Sequence, residues 1–147
     1  MPGGRRRTIA EWQTAASPLP GLRVVDGATG RVRNIRDQHG LEIPMIDGLY
    51  SLPGAGAQRC LIGIQTAIGY TQVVRIVLDS LEARSGRVTV LERMHPAYEE
   101  PTTGVMVGDT LVYVANSQLS RLDSRGRIAR TPQRETILLR LPVRCAA

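Results

Sequence analysis

Three stretches of the chain carry side chains whose types and spacing could do chemistry. The first holds His95, Glu99 and Glu100 within residues 95–101, close enough for an imidazole and a carboxylate to exchange protons with a substrate. A proline stands near each end of this stretch, and nothing in the sequence indicates an environment that would activate these groups. Because charged residues are normal in exposed loops, we interpret the stretch as a connecting loop.

The second stretch consists of Asn116, Ser117 and Gln118, which follow one apolar segment and precede another. Their amide and hydroxyl groups could hydrogen-bond a ligand, and they could equally satisfy backbone groups at a turn. Both interpretations stay open at the level of sequence. Ser117 has no Gly-x-Ser-x-Gly context, so we do not predict a nucleophilic role for its hydroxyl.

The third candidate is Asp47, which stands directly before Gly48 at the start of a strand-like segment. Its carboxylate could bind a metal ion or act as a base, but an Asp in this position commonly hydrogen-bonds its own backbone in an Asx turn. A divalent cation with oxygen ligands needs several convergent groups, usually including two or more carboxylates. Because Asp47 alone would not hold calcium or magnesium against water, we favour the Asx turn for this chain by itself.

The charge of the chain is a weak guide to its partners. The 147 residues carry a formal net charge of +6, and all 19 basic residues are Arg. Apart from Arg5, Arg6 and Arg7 the arginines are spread along the chain, and no aromatic RNA-binding pair, helix-turn-helix or zinc-finger pattern accompanies them. We therefore do not predict nucleic-acid binding.

Compartment and redox state are equally open. No apolar run approaches the roughly 18 residues of a membrane helix, and no apolar segment follows the basic start as a secretory signal would require. The default expectation is a cytoplasmic protein without membrane contact. Cys60 and Cys145 lie 85 positions apart, and in a reducing compartment they predict two free thiols, with a disulfide as the alternative.

A short pattern occurs three times along the chain. An apolar segment ends in Asp, at Asp26, Asp79 and Asp123, and a Gly-Arg pair and an apolar β-former follow. The Asp residues are 53 and 44 positions apart, a period typical of propeller blades. Each copy predicts a strand, a turn that tolerates positive φ, and a second strand.

The predicted fold class is all-β, because β-branched residues alternate or cluster after residue 21 and long helical patterns are missing. We predict a partial β-propeller of two four-stranded antiparallel blades plus part of a third. The partial blade spans residues 21–45, the two blades span 46–93 and 100–143, and residues 1–20 form an irregular basic arm. A β-sandwich of about ten strands is the alternative, but a sandwich needs no internal repeat.

The most specific segments are residues 101–104, Pro-Thr-Thr-Gly, and residues 109–118, which end in Ala-Asn-Ser-Gln. Together with residues 46–50 and 61–65 they resemble the late blades of the regucalcin and gluconolactonase-like six-bladed propellers, over roughly residues 21–143. The resemblance implies a divalent cation at one mouth of the central channel, held by Glu, Asn and Asp side chains. It places one of these ligands at Asp47, although Ile46 replaces the Pro of the family motif.

The resemblance implies a C-terminal fragment of a lactonase-like propeller that is inactive alone. Calcium would be the cofactor of the complete ring, a lactone or sugar-like molecule its ligand, and the missing blades its partners. Asn116, Ser117 and Gln118 would then be the ligand-contact candidates. The alternative function is a non-enzymatic β-scaffold that binds a partner, or assembles with itself, through open blade edges.

Overall fold

The computed structural model describes residues 7–14, 17–52, 59–67, 69–79, 84–128 and 133–145. Within these residues the chain is all-β, as predicted: ten strands and a single three-residue 3₁₀ helix make up its regular structure. The strands form three antiparallel sheets, in the orders β1-β2-β3, β4-β5-β6-β7 and β10-β9-β8. We refer to these as the first, central and third sheets.

The first sheet contains β1 (Arg7–Thr14), β2 (Ser17–Asp26) and β3 (Val32–Asn34). The prediction of an irregular arm over residues 1–20 is therefore wrong for residues 7–14 and 17–20, while residues 1–6 lie outside the described chain. β1 and β2 pair from Arg7–Asp26 to Thr14–Ser17. Pairing with a neighbouring strand outweighs the weak local signal of a segment that contains two prolines.

The central sheet contains β4 (Ile46–Leu52), β5 (Arg59–Ala67), β6 (Tyr70–Leu78) and β7 (Gly86–Arg93), in which β5, β6 and β7 each pair with the strand before them. Four consecutive strands over residues 46–93 agree with the predicted strands of this segment. Both faces of β5 are buried, since Cys60, Ile62 and Ile64 face one core while Leu61 faces another. This explains why the segment reads as a continuous apolar run instead of an alternating one.

The third sheet contains β8 (Gly104–Val107), β9 (Thr110–Val114) and β10 (Leu138–Pro142). The predicted four-stranded blade over residues 100–143 is wrong in one element, because Leu119–Arg121 is a 3₁₀ helix and not a strand. Gln118, directly before it, has a φ of 57°, in the left-handed region. That turn of the backbone removes the following residues from the plane of the sheet.

The sheets stack as layers, with one core on each side of the central sheet. The first core joins β2 to the central sheet and includes Leu22, Val24, Ile46, Val74 and Ile76. The second core joins the central and third sheets; its buried members are Leu52, Cys60, Ile62, Ile64, Val73, Leu111, Tyr113 and Val143. Aliphatic side chains fill the first core and dominate the second, which also holds Cys60 and Tyr113. The arrangement of the sheets around a common axis stays a prediction.

The turns at Asp residues support part of the predicted repeat. Asp123 Oδ1 accepts hydrogen bonds from the amides of Arg125 (2.8 Å) and Arg127 (2.9 Å), and Gly126 has a φ of 71°. Asp26 Oδ1 similarly accepts from the amides two and three residues later, at 3.0 and 3.1 Å. The copy at Asp79 differs, because its Gly86 is not in a turn but is the first residue of β7.

A further turn of this kind begins at Asp37, outside the three predicted copies of the pattern. Its Oδ1 accepts from the amides of His39 and Leu41, both at 2.8 Å, and Gly40 has a φ of 79°. The positions of donors and glycine are the same as in the turn at Asp123.

Within the described residues, no helix has the length and apolar character needed to cross a membrane.

Candidate functional site

The Pro-Thr-Thr-Gly segment, residues 101–104, docks β8 onto the central sheet. The hydroxyl of Thr66, in β5, donates to the carbonyl of Pro101 at 2.6 Å. The amide of Gly104 donates to the hydroxyl of Tyr50, in β4, at 2.6 Å. These contacts join residues 35 and 54 positions apart, so the segment fixes how the third sheet sits on the central one.

Two glycines permit close approaches of the backbone, Gly48 across this contact between sheets and Gly104 within the third sheet, against β9. A Cβ on Gly48 would lie 2.8 Å from the carbonyl oxygen of Thr102, and a Cβ on Gly104 would lie 2.3 Å from the carbonyl oxygen of Val112. Contacts with backbone atoms at such distances leave no room for a side chain. Two of the segments that carry the family resemblance, residues 46–50 and 101–104, therefore meet at one seam between β4 and β8.

Ser117 holds the start of this segment. Its hydroxyl donates to the carbonyl of Glu100 at 2.7 Å, and its amide approaches the same oxygen at 3.3 Å. The amide of Glu99, the residue before Glu100, donates to the carbonyl of Ala115 at 2.9 Å. The serine hydroxyl thus satisfies a backbone carbonyl within the chain.

The side chains of Asn116 and Gln118 hold the chain that returns to β10. Asn116 is buried; its Oδ1 accepts from the amide of Ile137 at 2.6 Å, and its Nδ2 donates to the carbonyl of Glu135 at 2.7 Å. Gln118 repeats the arrangement with the amide and carbonyl of Arg134, both at 3.0 Å. Two amide side chains therefore pair with the backbone as a neighbouring strand would.

Ser117 and Gln118 also border a cleft of about 230 Å³. Its wall combines polar, cationic and aliphatic side chains from both sides of the 3₁₀ helix: Ser117, Gln118, Arg121, Leu122, Ile128, Gln133, Arg134 and Thr136. Asn116 is not among these residues. The structure thus places two of the three predicted ligand-contact residues at one cleft, although their polar groups already bond to the backbone.

The two guanidinium groups at the cleft share one carboxylate. Arg121 lies 2.8 Å from Glu99 Oε1, and Arg134 lies 3.2 Å from Glu99 Oε2. The hydrogen bond from Arg121 and the charges of both arginines hold the pKa of Glu99 below its ordinary value. Glu99 is therefore ionised at neutral pH and partly neutralises the cleft, which suits polar and anionic groups better than cations.

His95 is not arranged as an acid–base partner of Glu99 or Glu100. Its Nδ1 lies 3.1 Å from the amide of Ala97, and its ring lies 5.6 Å from the ring of Tyr98. Glu100 Oε2 accepts instead from the amide of Ser120 at 2.9 Å, at the start of the 3₁₀ helix. These contacts agree with the interpretation of residues 95–101 as a structural connection.

Asp47 lies exposed in β4, at a β-bulge between Ile46 and Gly48 where the register with β5 shifts. A bulge can redirect a side chain away from the regular alternation of its strand. In the part of the chain that the structure describes, no group of three or more His, Cys, Asp or Glu side chains could hold a metal ion. Asp47 as a metal ligand stays a prediction.

A half-buried polar cluster of Glu92, Tyr98 and Tyr113 lies at the second core, and no sequence motif indicates it. The hydroxyls of Tyr98 and Tyr113 lie 2.8 Å apart, and both donate to Glu92 Oε2, Tyr98 at 3.1 Å. Burial raises the pKa of both tyrosines above the ordinary value, and the neighbouring Glu92 carboxylate raises it further. The contacting residues of this cluster are 6 to 21 positions apart in the sequence, so no local motif indicates it.

Comparisons with known proteins leave the family open. No family model matches the chain, and neither the curated proteins nor the solved structures include a significant match.

Proposed function

We propose that the chain is a β-sheet interaction module that packs against a second copy of itself. The observation that carries this proposal is the outer face of the third sheet, which is apolar and exposed. Val105, Val107 and Leu138 on this face are 57%, 60% and 60% exposed. The opposite face of the same sheet is buried against the central sheet through Leu111 and Tyr113.

The register of the third sheet gathers these side chains on one surface. Val105 lies opposite Val112, which lies opposite Arg140, and Leu138 lies opposite Val114. We call the whole set the outer face: Val105, Val107, Thr110, Val112, Val114, Leu138, Arg140 and Pro142. A single charge among eight residues is the composition of the centre of a protein interface and not of an ordinary solvated sheet.

A second copy suits this surface because sheet-on-sheet packing is already the rule within the chain. The central sheet carries a neighbour on each face, whereas the outer face of the third sheet carries none among the described residues. The first sheet offers the apolar pair Val25 and Val32, paired across β2 and β3, with Val32 42% exposed. Packing this side against the outer face of another copy continues the stack.

The number of sheets also favours two copies. Two chains of three sheets each contribute six, and closed radial repeats of four-stranded sheets typically contain four to eight. Two head-to-tail contacts related by a twofold axis would close such a ring and leave no apolar sheet face exposed. Association would bury aliphatic surface at about 25 cal/mol per Å².

Molar mass in solution tests the proposal. Light scattering after size-exclusion chromatography should give a dimer for the wild-type chain and a monomer for Val107→Glu. The matched control is Leu41→Glu, an equally exposed apolar residue (63%) at the Asp37 turn, away from the outer face. It should remain dimeric, and circular dichroism should show that both variants keep the β-sheet spectrum.

Two results would contradict the proposal. The first is a monomeric wild-type chain at concentrations of tens of micromolar. The second is equal disruption by Leu41→Glu and Val107→Glu, which would show that the outer face has no special part in association.

A lactonase-like hydrolase is the second candidate function. It is favoured by the position of Asp47, which lies toward the same end of the sheets as the cleft. Ile46, the residue before Asp47, pairs with Gln65 of β5. Thr66, which follows Gln65, bonds to the carbonyl of Pro101. Glu100, which precedes Pro101, bonds to Ser117 at the cleft. An exposed carboxylate and a polar cleft on one end of the stack are the elements from which metal-dependent lactone hydrolysis would be built.

Calorimetry with calcium and a lactone hydrolysis assay test this second candidate. The expected result is calcium-dependent hydrolysis that Asp47→Ala abolishes and that Asp109→Ala, a change of another exposed carboxylate, leaves unchanged. Absence of calcium binding by the wild-type chain, as monomer and as dimer, would rule the activity out.

A further inference from the structure

The chain brings its two cysteines together. Cys60 lies in β5 on the face toward the third sheet and is fully buried. Cys145 follows β10, is half-buried and packs against the same core. Both thiols belong to the same core between the central and third sheets, although they are 85 positions apart in the sequence.

Three contacts hold Cys145 in this place. The amide of Val143 donates to the carbonyl of Asp109 at 2.7 Å, and Arg144 Nε donates to the Asp109 carboxylate at 3.2 Å. From the central sheet, Arg75 donates to the carbonyl of Arg144 at 2.9 Å. Arg144, the residue before Cys145, is thus tied to both the central and the third sheet, and this holds Cys145 at the core that contains Cys60.

The two thiols differ in their access to solvent. Cys145 borders a shallow pocket of about 540 Å³, together with Leu52, Gly108, Asp109, Val143 and Arg144. Cys60 is not among the residues of this pocket. Burial, and then the contact with Cys145, raises the pKa of Cys60 to about 12, so Cys60 is a protonated thiol at neutral pH.

We propose that Cys60 and Cys145 form an oxidant-sensitive dithiol that closes to an intramolecular disulfide when a small-molecule disulfide of the glutathione type enters the pocket at Cys145. The bond would tie β5 of the central sheet to the end of the third sheet. It closes a loop that contains most of β5, all of β6 and β7, and the whole third sheet.

The reaction proceeds in two exchanges. The Cys145 thiolate attacks the small disulfide, forms a mixed disulfide and releases one equivalent of small thiol. The Cys60 thiol then loses its proton and attacks the Cys145 sulfur, which releases the second equivalent. Two protein thiols are oxidised and one small disulfide is reduced to two thiols. The buried Cys60 makes the second exchange the slow one.

Mass spectrometry and thermal unfolding test the proposal with the full chain. After treatment with oxidised glutathione, the denatured protein should lose two hydrogens in mass and its titratable thiols should fall from two to none. The Tm should rise by about 10 °C over the sample reduced with dithiothreitol, because the crosslink closes a long loop.

Cys145→Ser is the main control, since it removes the more exposed thiol and keeps the buried one. It should show no redox dependence of the Tm. Cys60→Ser should stop at the glutathione adduct of Cys145, which traps the intermediate. A wild-type protein that accumulates this adduct with the Cys60 thiol unreacted, or that forms disulfides only between chains, would overturn the proposal.

Discussion

The hydroxyl of Tyr50 accepts a hydrogen bond from the backbone amide of Gly104 at 2.6 Å, across the seam between two sheets. Tyr50 lies in β4 and Gly104 begins β8, so each belongs to an edge strand of its sheet. β4 and β8 do not pair with each other in the sheets. The Tyr50 side chain therefore provides the hydrogen-bond acceptor for the Gly104 amide across the seam, where the described strands β4 and β8 form no backbone pairing.

Tyr50→Phe should destabilise the protein by about 1–2 kcal/mol. The substitution keeps the ring but leaves the part-buried amide of Gly104 without its acceptor, and an unsatisfied buried donor costs about this much. Urea unfolding followed by circular dichroism measures the change. Tyr70→Phe, at the start of β6, is the matched control, and an equal loss in both variants would contradict the role of this bond.

Gly104→Ala should cost about 3 kcal/mol, because the new methyl group would overlap backbone atoms that cannot move aside. Its Cβ would lie 2.3 Å from the carbonyl oxygen of Val112 and 2.8 Å from Cα of Tyr113. Gly21→Ala is the control, since a Cβ there would meet its nearest neighbour at 3.7 Å. If thermal unfolding shows similar Tm values for both variants, the pairing of β8 with β9 is looser than described.

Asn116→Ala should lower the free energy of unfolding by about 2 kcal/mol, since a buried side chain with two hydrogen bonds to the backbone is lost. The amide of Ile137 should then exchange with solvent about tenfold faster, as judged by hydrogen-exchange mass spectrometry or NMR. Gln118→Ala, at the more exposed of the two amides, should cost less. Unchanged exchange at Ile137 would show that β10 does not depend on Asn116.

The ion pairs of Glu99 should make stability depend on acid pH. Because its pKa is lowered in the folded state, the stabilisation is fully present above the ordinary value of 4.5 and is lost as the pH falls through the folded-state pKa. Wild type should therefore exceed Glu99→Gln in stability at about pH 7 and approach it near pH 3. Arg121→Ala should remove most of the same difference, and a pH-independent difference would contradict this account.

The sequence predicts the central sheet well because its signal is local. β5 and β6 are rich in Ile, Val and Leu, and both faces of these strands are buried, so composition alone identifies them. The turns at Asp26 and Asp123 are equally local, since each Asp bonds to amides within four positions. The all-β class follows from these elements together.

Elements that depend on distant partners are not predictable in this way. β1 exists because β2 supplies its hydrogen bonds, and its own residues include charged and polar types. Leu119–Arg121 has the composition of a strand, but the left-handed conformation of Gln118 directs the chain into a helical turn. Local pattern cannot reveal either influence.

The candidate site shows the same division. The sequence singles out Asn116, Ser117 and Gln118 but not their partners, which lie 16 to 21 positions away. The cluster of Glu92, Tyr98 and Tyr113 and the contact of Cys60 with Cys145 require the stacked sheets before they exist. The sequence shows which polar residues are present, but it does not show which distant residues the fold brings into contact with them.

The matching turns at Asp37 and Asp123 imply that a four-residue cassette can be exchanged between distant parts of this protein. In both, the residues that flank the turn also form the same antiparallel bridge, Arg36 with Glu42 and Leu122 with Ile128. Each turn carries its own acceptor and its own glycine, but Gln38 in the Asp37 turn also bonds to the backbone amide and carbonyl of Val88 in β7. Grafting residues 123–126 in place of 37–40 should therefore preserve the local turn but put a serine in place of Gln38 and remove the two bonds that tie this turn to β7, so the turn at Asp123 is the better site for engineering a tag or an insert.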